Sequence, residues 1–153
     1  MIRDIEHSDL DTIVDINQNA LEGVGPLDRE SLSLLVKMSD QALVLDDGGD
    51  IAGFVITLPP RVDYESSRYH WFEERYDDYV YLDRIVVAES HRRRGVASTL
   101  YDAVEQDQPI ALEVYDHNEG SLAFHHGRGF KKVGELECAG TTNIMLVRQP
   151  DAA

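Results

Sequence analysis

Three consecutive arginines, Arg92, Arg93 and Arg94, stand immediately before Gly95 in a chain that carries 29 Asp plus Glu against 14 Lys plus Arg, a formal charge of −15 at pH 7. They follow the apolar run Ile85, Val86, Val87 and precede Val96 and Ala97, where apolar residues begin to recur at helical spacing through Leu100, Tyr101 and Val104. A strand-to-helix turn of this kind aims unpaired backbone N–H groups and the positive end of a helix at one spot, which suits a phosphate. Gly95 permits close backbone approach, and Ala97 is small for the same reason. Arginine runs also occur as plain solvated turns, so on this stretch alone phosphate binding and a surface turn stand as alternatives.

Three further titratable side chains stand inside patterned stretches. Asp83 lies two residues after Tyr81 on one strand, so the two share a face. Glu113 interrupts an otherwise apolar strand, and His125 sits in a short helical stretch that also holds Ser121 and Phe124 behind Asn118. The lone Cys138 has no partner for a disulfide or a zinc cluster. No Ser/His/Asp order or reactive cysteine context points to a covalent intermediate. His70, Glu74 and Asp78 stand at helical spacing and mimic a metal set, but no metal is assigned.

The elements that must position these groups are readable from periodicity. Met1 to Ile5 reads as a strand, and Ser8 with Asp11 opens a helix marked by Leu10, Ile13, Val14 and Leu21. Glu22 to Pro26 breaks it, and Asp28 caps a second helix carrying Leu32, Leu35 and Val36. Ala42–Leu45 and Ile51–Leu58 form a hairpin around Asp46-Asp-Gly-Gly-Asp50. Pro59-Pro60 opens a segment of about twenty residues, longer than usual connections and therefore a functional candidate. Strands at 79–88 and 110–115 flank the helix after Gly95, a short helix starts at Asn118, and strands at 130–137 and 143–147 close the chain. The expected order is βααβββαβαββ, a mixed α/β arrangement in one domain over residues 1–150.

Composition narrows the field. The excess of acid repels nucleic acid phosphates and anionic membranes. No apolar run approaches the roughly 18 residues of a membrane span, and MIRDIEHSDL has no apolar signal stretch, so a soluble, cytoplasmic protein is expected. Only Lys37, Lys131 and Lys132 are lysines. Low lysine with excess acid resembles proteins of salt-loving organisms, the alternative being an ordinary acidic cytoplasmic protein. A nucleotide-binding protein of the P-loop kind is disfavoured, because no Gly-x-x-x-x-Gly-Lys stretch occurs.

Arg92-x-x-Gly95-x-Ala97 after Leu82-x-x-Ile85-x-Val87 resembles the acetyl-CoA signature of the GNAT superfamily of N-acetyltransferases. Asn118-x-x-Ser121-x-x-Phe124-His125-x-x-x-Gly129-Phe130 resembles that superfamily's later segment, at the expected distance. The resemblance is specific over residues 79 to 131. It implies a mostly antiparallel sheet of six or seven strands with helices on both faces, and acetyl-CoA as co-substrate without a metal. It also implies that the amides of Arg93 to Ala97 hold the coenzyme pyrophosphate, while the pantetheine arm lies along the strand ending at Val87. Asn118 would contact the far end of that arm, and the Val87 N–H would polarise the thioester carbonyl.

Position 125 is His where many members of the superfamily carry the Tyr that protonates the leaving thiolate. His125 is the candidate acid in its place, with a helix-surface histidine as the alternative; its neighbour His126 should be solvated. An amine acceptor arrives mostly as ammonium, so a proton acceptor is needed. Asp83 is the first candidate and Glu113 the second, each against a structural carboxylate bonded in the sheet.

Tyr64, Tyr69, His70, Trp71, Phe72 and Tyr76 crowd the segment 61–78. They read either as an acceptor-site wall, with Tyr69, Trp71, Phe72, Glu74 and Tyr81 meeting a cationic amine, or as an extra helix docked on the core or on a second subunit. A homodimer is one expectation that follows. Small-molecule amines and peptide amines both remain open as acceptors. So do another acyl-CoA donor and a non-catalytic acyl-CoA-binding module.

Overall fold

In the computed structural model, residues 1–104 and 107–150 are described. The chain begins with β1 (Ile2–Asp4), α1 (Leu10–Gln18), α2 (Arg29–Met38), β2 (Gln41–Asp47), β3 (Asp50–Leu58) and α3 (Ser67–Glu73). It continues through β4 (Val80–Val87), α4 (Val96–Val104), β5 (Ile110–Tyr115), α5 (Glu119–Gly127), β6 (Lys131–Cys138) and β7 (Thr141–Arg148). The strands form a seven-stranded sheet of order β1-β2-β3-β4-β5-β7-β6. The β1–β2, β2–β3, β5–β7 and β6–β7 pairs are antiparallel, while β4 and β5 are parallel with Val80 opposite Ile110 and Tyr81 opposite Ala111.

Local chemistry explains most boundaries. Asp28 accepts a hydrogen bond from the Ser31 N–H at 2.7 Å and caps α2, whose Leu32 and Leu35 are buried; that bond holds the Asp28 carboxyl below the usual carboxylate range. Gly48 and Gly49 take φ of +64° and +104° in the β2–β3 turn, where Asp46 accepts the Gly49 N–H at 2.8 Å. Two expectations are corrected. The helix α1 ends at Gln18, leaving Leu21 45% exposed outside it, and its start is a 3-10 turn at His7–Asp9 boxed by Glu6 and Asp9, in place of Ser8 and Asp11. The expected element order also lacks α3, which Ser66 caps by accepting the Tyr69 N–H.

The chain divides into two compact units, Met1–Leu58 with Leu82–Glu105, and Pro59–Tyr81 with Gln106–Ala153. In the first, Ile13, Leu32, Phe54, Ile56, Leu100 and Val104 are wholly buried. A Cβ on Gly53 would stand 2.7 Å from the Val86 carbonyl oxygen and 3.0 Å from Val96 Cγ1, so glycine is what lets β4 and α4 approach β3. In the second, Tyr69, Phe72, Tyr79, Ala111 and Met145 are wholly buried.

Candidate active site

The stretch between β4 and α4 belongs to the first unit. A 3-10 turn at Glu89–His91 follows β4, and buried His91 anchors it: Nε2 lies 3.0 Å from Asp47 Oδ2 and Nδ1 2.8 Å from Ser90 Oγ. Arg93 and Gly95 then take φ of +65° and +75°. That conformation costs a non-glycine residue about 1–2 kcal/mol and is found where a loop is shaped for a purpose. Arg92, Arg93, Arg94 and Gly95 are exposed. Among the described residues, the three guanidinium groups make no hydrogen bond or ion pair, and the N–H groups of Arg93, Arg94 and Gly95 have no backbone acceptor. Arg3, Arg29, Arg61, Arg75 and Arg84, by contrast, all pair with carboxylates.

Along β4, Val86 is buried, whereas Ile85 and Val87, alternate residues of the opposite face, are half-buried and present apolar surface. Asp83 is committed elsewhere. Its carboxylate, with 4% of the side chain exposed, binds Arg84 Nε at 2.8 Å. Arg84 also donates to Asn17 Oδ1 at 3.0 Å and the Gly25 carbonyl at 3.1 Å. The pair thus ties the end of α1 and the loop that follows it to β4.

In the second unit, Glu113 is the centre of a polar cluster. Tyr81 donates to it, with Oη 2.7 and 2.9 Å from the two carboxylate oxygens, and Arg68 Nε lies 3.3 Å from Oε1. Burial lowers the affinity of Arg68 for its proton, but the fields of Glu113, Tyr81, Cys138 and Tyr115 outweigh that, and the net shift is upward.

The aromatic segment packs as a docked helix. Tyr69 and Phe72 have no exposed surface, so neither can meet an acceptor directly, which corrects their place in an acceptor wall. Their rings pack on Tyr64, Tyr76, Tyr79 and Tyr81 at centroid distances of 5.3 to 6.5 Å. Trp71 is also occupied: Arg75 lies 3.8 Å over its ring, and a Cβ on Gly134 would stand 2.5 Å from Cζ2. Tyr79 donates to Glu73; burial first, and that carboxylate second, push its phenol well above the usual range. Glu74 caps α3 and is exposed, 3.6 Å from Arg75. With α3 ending at Glu73, the helical spacing of His70, Glu74 and Asp78 is broken, and among the described residues no group of three metal ligands converges.

On α5, Asn118 caps the helix by accepting the Ser121 N–H at 3.2 Å, which leaves its amide nitrogen without a hydrogen bond among the described residues. His125 is buried, edge-on to Phe124 and Phe130, with Nδ1 2.7 Å from the Ser121 carbonyl and 3.3 Å from Ser121 Oγ. Burial holds its pKa below the ordinary imidazole value. His126 is exposed.

Arg68 and the Asp83–Arg84–Asn17 network were not among the residues singled out from sequence. The one available signal for Arg68 was a cation placed just inside the Ser66 cap of an acid-rich segment.

A model of the acetyltransferase (GNAT) family matches residues 10–130. A comparison with curated proteins finds no match. Among solved structures, Naa20 of Chaetomium thermophilum, in complex with a bisubstrate analogue, superposes with a TM-score of 0.79 at 14% identity, covering 98% of this chain and 86% of that one. NAA60 of Arabidopsis thaliana, also with a bisubstrate analogue, gives 0.73 at 23% identity and covers 96% and 95%. The ribosomal-protein-S18-alanine N-acetyltransferase of Escherichia coli gives 0.74 at 17% identity, covering 100% and 95%. At these identities the likeness is one of fold.

Proposed function

Because the chain belongs to the acetyltransferase (GNAT) family, we propose that it transfers an acetyl group from acetyl-CoA to a primary amine by direct attack. The observation that carries this reading is the stretch 92–97: three exposed arginines, unpaired among the described residues, and two left-handed residues at the head of α4, in a chain of charge −15. Such a stretch fits a diphosphate, since it offers open N–H groups, a helix N-terminus and local positive charge together.

In the proposed reaction, the thioester of acetyl-CoA supplies the acetyl group; the amine nitrogen bonds its carbonyl carbon and gives up a proton, the C–S bond breaks, and the sulfur takes up a proton. The amides of Arg93 to Ala97 hold the pyrophosphate. Ile85 and Val87 offer apolar surface to the pantetheine arm, the Val87 N–H polarises the carbonyl, and the free amide nitrogen of Asn118 donates to the arm's far end. Of the two carboxylates, Glu113 supports the role of proton acceptor better. Asp83 is spent on Arg84, whereas Glu113 keeps 12% of its side chain exposed beside the Tyr81 hydroxyl that orients it.

A non-catalytic acyl-CoA-binding module is the second reading, favoured by the burial of His125 and the commitment of its Nδ1 to Ser121. Thiol release from acetyl-CoA across an amine panel, with calorimetry of CoA binding, tests both. Release with at least one amine, lost in Glu113→Gln, is expected. CoA binding without release to any amine would leave the binding module standing. Gly95→Val should weaken CoA binding at least tenfold, because a branched side chain there blocks the ligand's approach and also strains a residue held at φ of +75°; unchanged affinity would remove the loop from the site.

A further inference from the structure

Arg68 differs from a structural ion pair in the same chain. Arg3 grips Asp9 with two parallel bonds, Nη1 to Oδ2 at 2.8 Å and Nη2 to Oδ1 at 3.0 Å, the fork geometry that makes such pairs strong. Arg68 makes no such bond to Glu113: its closest approach is Nε, at 3.3 Å, and that buried Nε makes no hydrogen bond among the described residues. The single Tyr81 O–H lies between the two oxygens of Glu113, at 2.7 and 2.9 Å, which leaves the carboxylate further lone pairs to accept with. The Nη end of the fork makes no hydrogen bond among the described residues, and a third of the side chain, 33%, reaches solvent. An open guanidinium fork beside a carboxylate is a receptor with two signs: a planar anion for the arginine and a cation for the glutamate.

Resting on the reading of Glu113 and Tyr81 as the acceptor side of a transferase, we propose that the acceptor is an amine bearing its own carboxylate, a free α-amino acid, whose carboxylate takes the Arg68 fork while its ammonium faces Glu113. The cluster argues against the other acceptors. A polyamine brings further cations to a site that already holds Arg68, and like charges at close range repel. A peptide N-terminus places a neutral carbonyl where the free acid has its carboxylate, leaving the fork unmatched. Tyr81, Tyr115 and Cys138 are near enough to act on the Arg68 charge, and Cys138 Sγ lies 3.2 Å from Ser67 Oγ.

Calorimetry on the CoA-saturated full chain, titrated with the common L-amino acids and their C-terminal amides, tests the proposal. At least one amino acid should bind about ten- to a hundredfold more tightly than its amide, the range expected for a lost charged hydrogen-bonding pair. Arg68→Gln should bring that ratio to within about threefold while CoA affinity and melting temperature hold, and Arg68→Lys should keep an intermediate ratio, having the charge without the fork. Should Arg68→Gln fail to fold, the ratio in Arg68→Lys decides. Amides bound as well as acids by the parent protein, no amino acid bound at all, or a preference untouched by the Arg68 variants would each overturn the proposal. An amino acid bound with this preference but releasing no thiol from acetyl-CoA would leave Arg68 and Glu113 as an amino-acid site but overturn the transferase reading, and with it the amino acid's role as acceptor. Thiol release to amides as fast as to acids would do the reverse.

Discussion

The stretch 92–97 and the segment around α3 are both dense in chemically active side chains, and the fold treats them in opposite ways. In the first, three cations are exposed and, among the described residues, unpaired; Arg93 and Gly95 are held in left-handed conformations, as Arg61 is in the second. In the second, Arg61, Tyr69, Trp71, Phe72 and Tyr79 are all spent on neighbours. Groups left unsatisfied at some conformational cost mark a place kept for a ligand, while groups that satisfy one another mark structure. By that criterion Arg68 is the exception inside the structural region, because its fork stays open.

The largest expected effect breaks the comparison on stability. Phe72→Ala removes a wholly buried ring and should cost about 3–5 kcal/mol, measured by urea unfolding. Replacing Arg92, Arg93 and Arg94 together by Gln should change stability by no more than about 0.5 kcal/mol, as expected for surface positions without partners. A large loss in the second variant would mean that the arginines hold the fold.

The next effect runs the other way. The same triple replacement should weaken CoA at least tenfold, since charged contacts to a phosphate are worth about 1.5–3 kcal/mol each before solvent screening. Phe72→Leu, which keeps an apolar side chain in the core, should leave CoA affinity within about twofold. Calorimetry on both variants reads the contrast, and equal losses would erase it.

The difference also explains what could be read from the sequence. The phosphate stretch is local: Gly95, Ala97 and the arginines stand within a few residues, and turn chemistry acts at that range. Glu113 was visible because one acid in an apolar strand needs a reason. The helix α3 was legible only as one of two alternatives, since its seven residues, Ser67–Glu73, pack rings on more than one side and show no single apolar stripe. The openness of the Arg68 fork depends on Glu113 and Tyr81, brought beside it only by the folded chain. Asp83 misled for a related reason. Neighbours on a strand point to opposite faces, yet the long Arg84 side chain turns back to reach it at 2.8 Å.

A smaller effect concerns His125, whose burial depresses its pKa below the ordinary value of about 6.5. Below that value the unfolded chain takes up a proton that the folded chain refuses. The contribution to stability is therefore complete above about pH 6.5 and is lost as pH falls toward the depressed folded value. The parent protein should lose more melting temperature between pH 8 and pH 5.5 than His125→Gln, which keeps an amide donor for the Ser121 carbonyl. Parallel losses in the two proteins would mean that His125 titrates freely, as a proton donor at the surface would.

The smallest effect tests the contrast between the phosphate stretch and the whole chain. A net charge of −15 presents a repulsive far field to anionic CoA, and only Arg92 to Arg94 and the head of α4 oppose it locally. Salt shortens the Debye length from about 10 Å at 0.1 M to about 3 Å at 1 M, screening distant acids more than contacts made at the site. If the low-lysine, acid-rich composition is an adaptation to salt, the KM for acetyl-CoA should stay flat or fall as KCl approaches 1 M. The melting temperature should rise as self-repulsion among the surface acids relaxes. A site governed by its exposed arginines alone would instead lose coenzyme affinity steadily with salt, because each contact to phosphate is screened as it is made. A KCl titration that follows KM and melting temperature together separates the two. A steep loss of both would refute the salt-adapted reading and leave the phosphate stretch where it is, since its assignment rests on unpaired groups and backbone conformation and not on the far field.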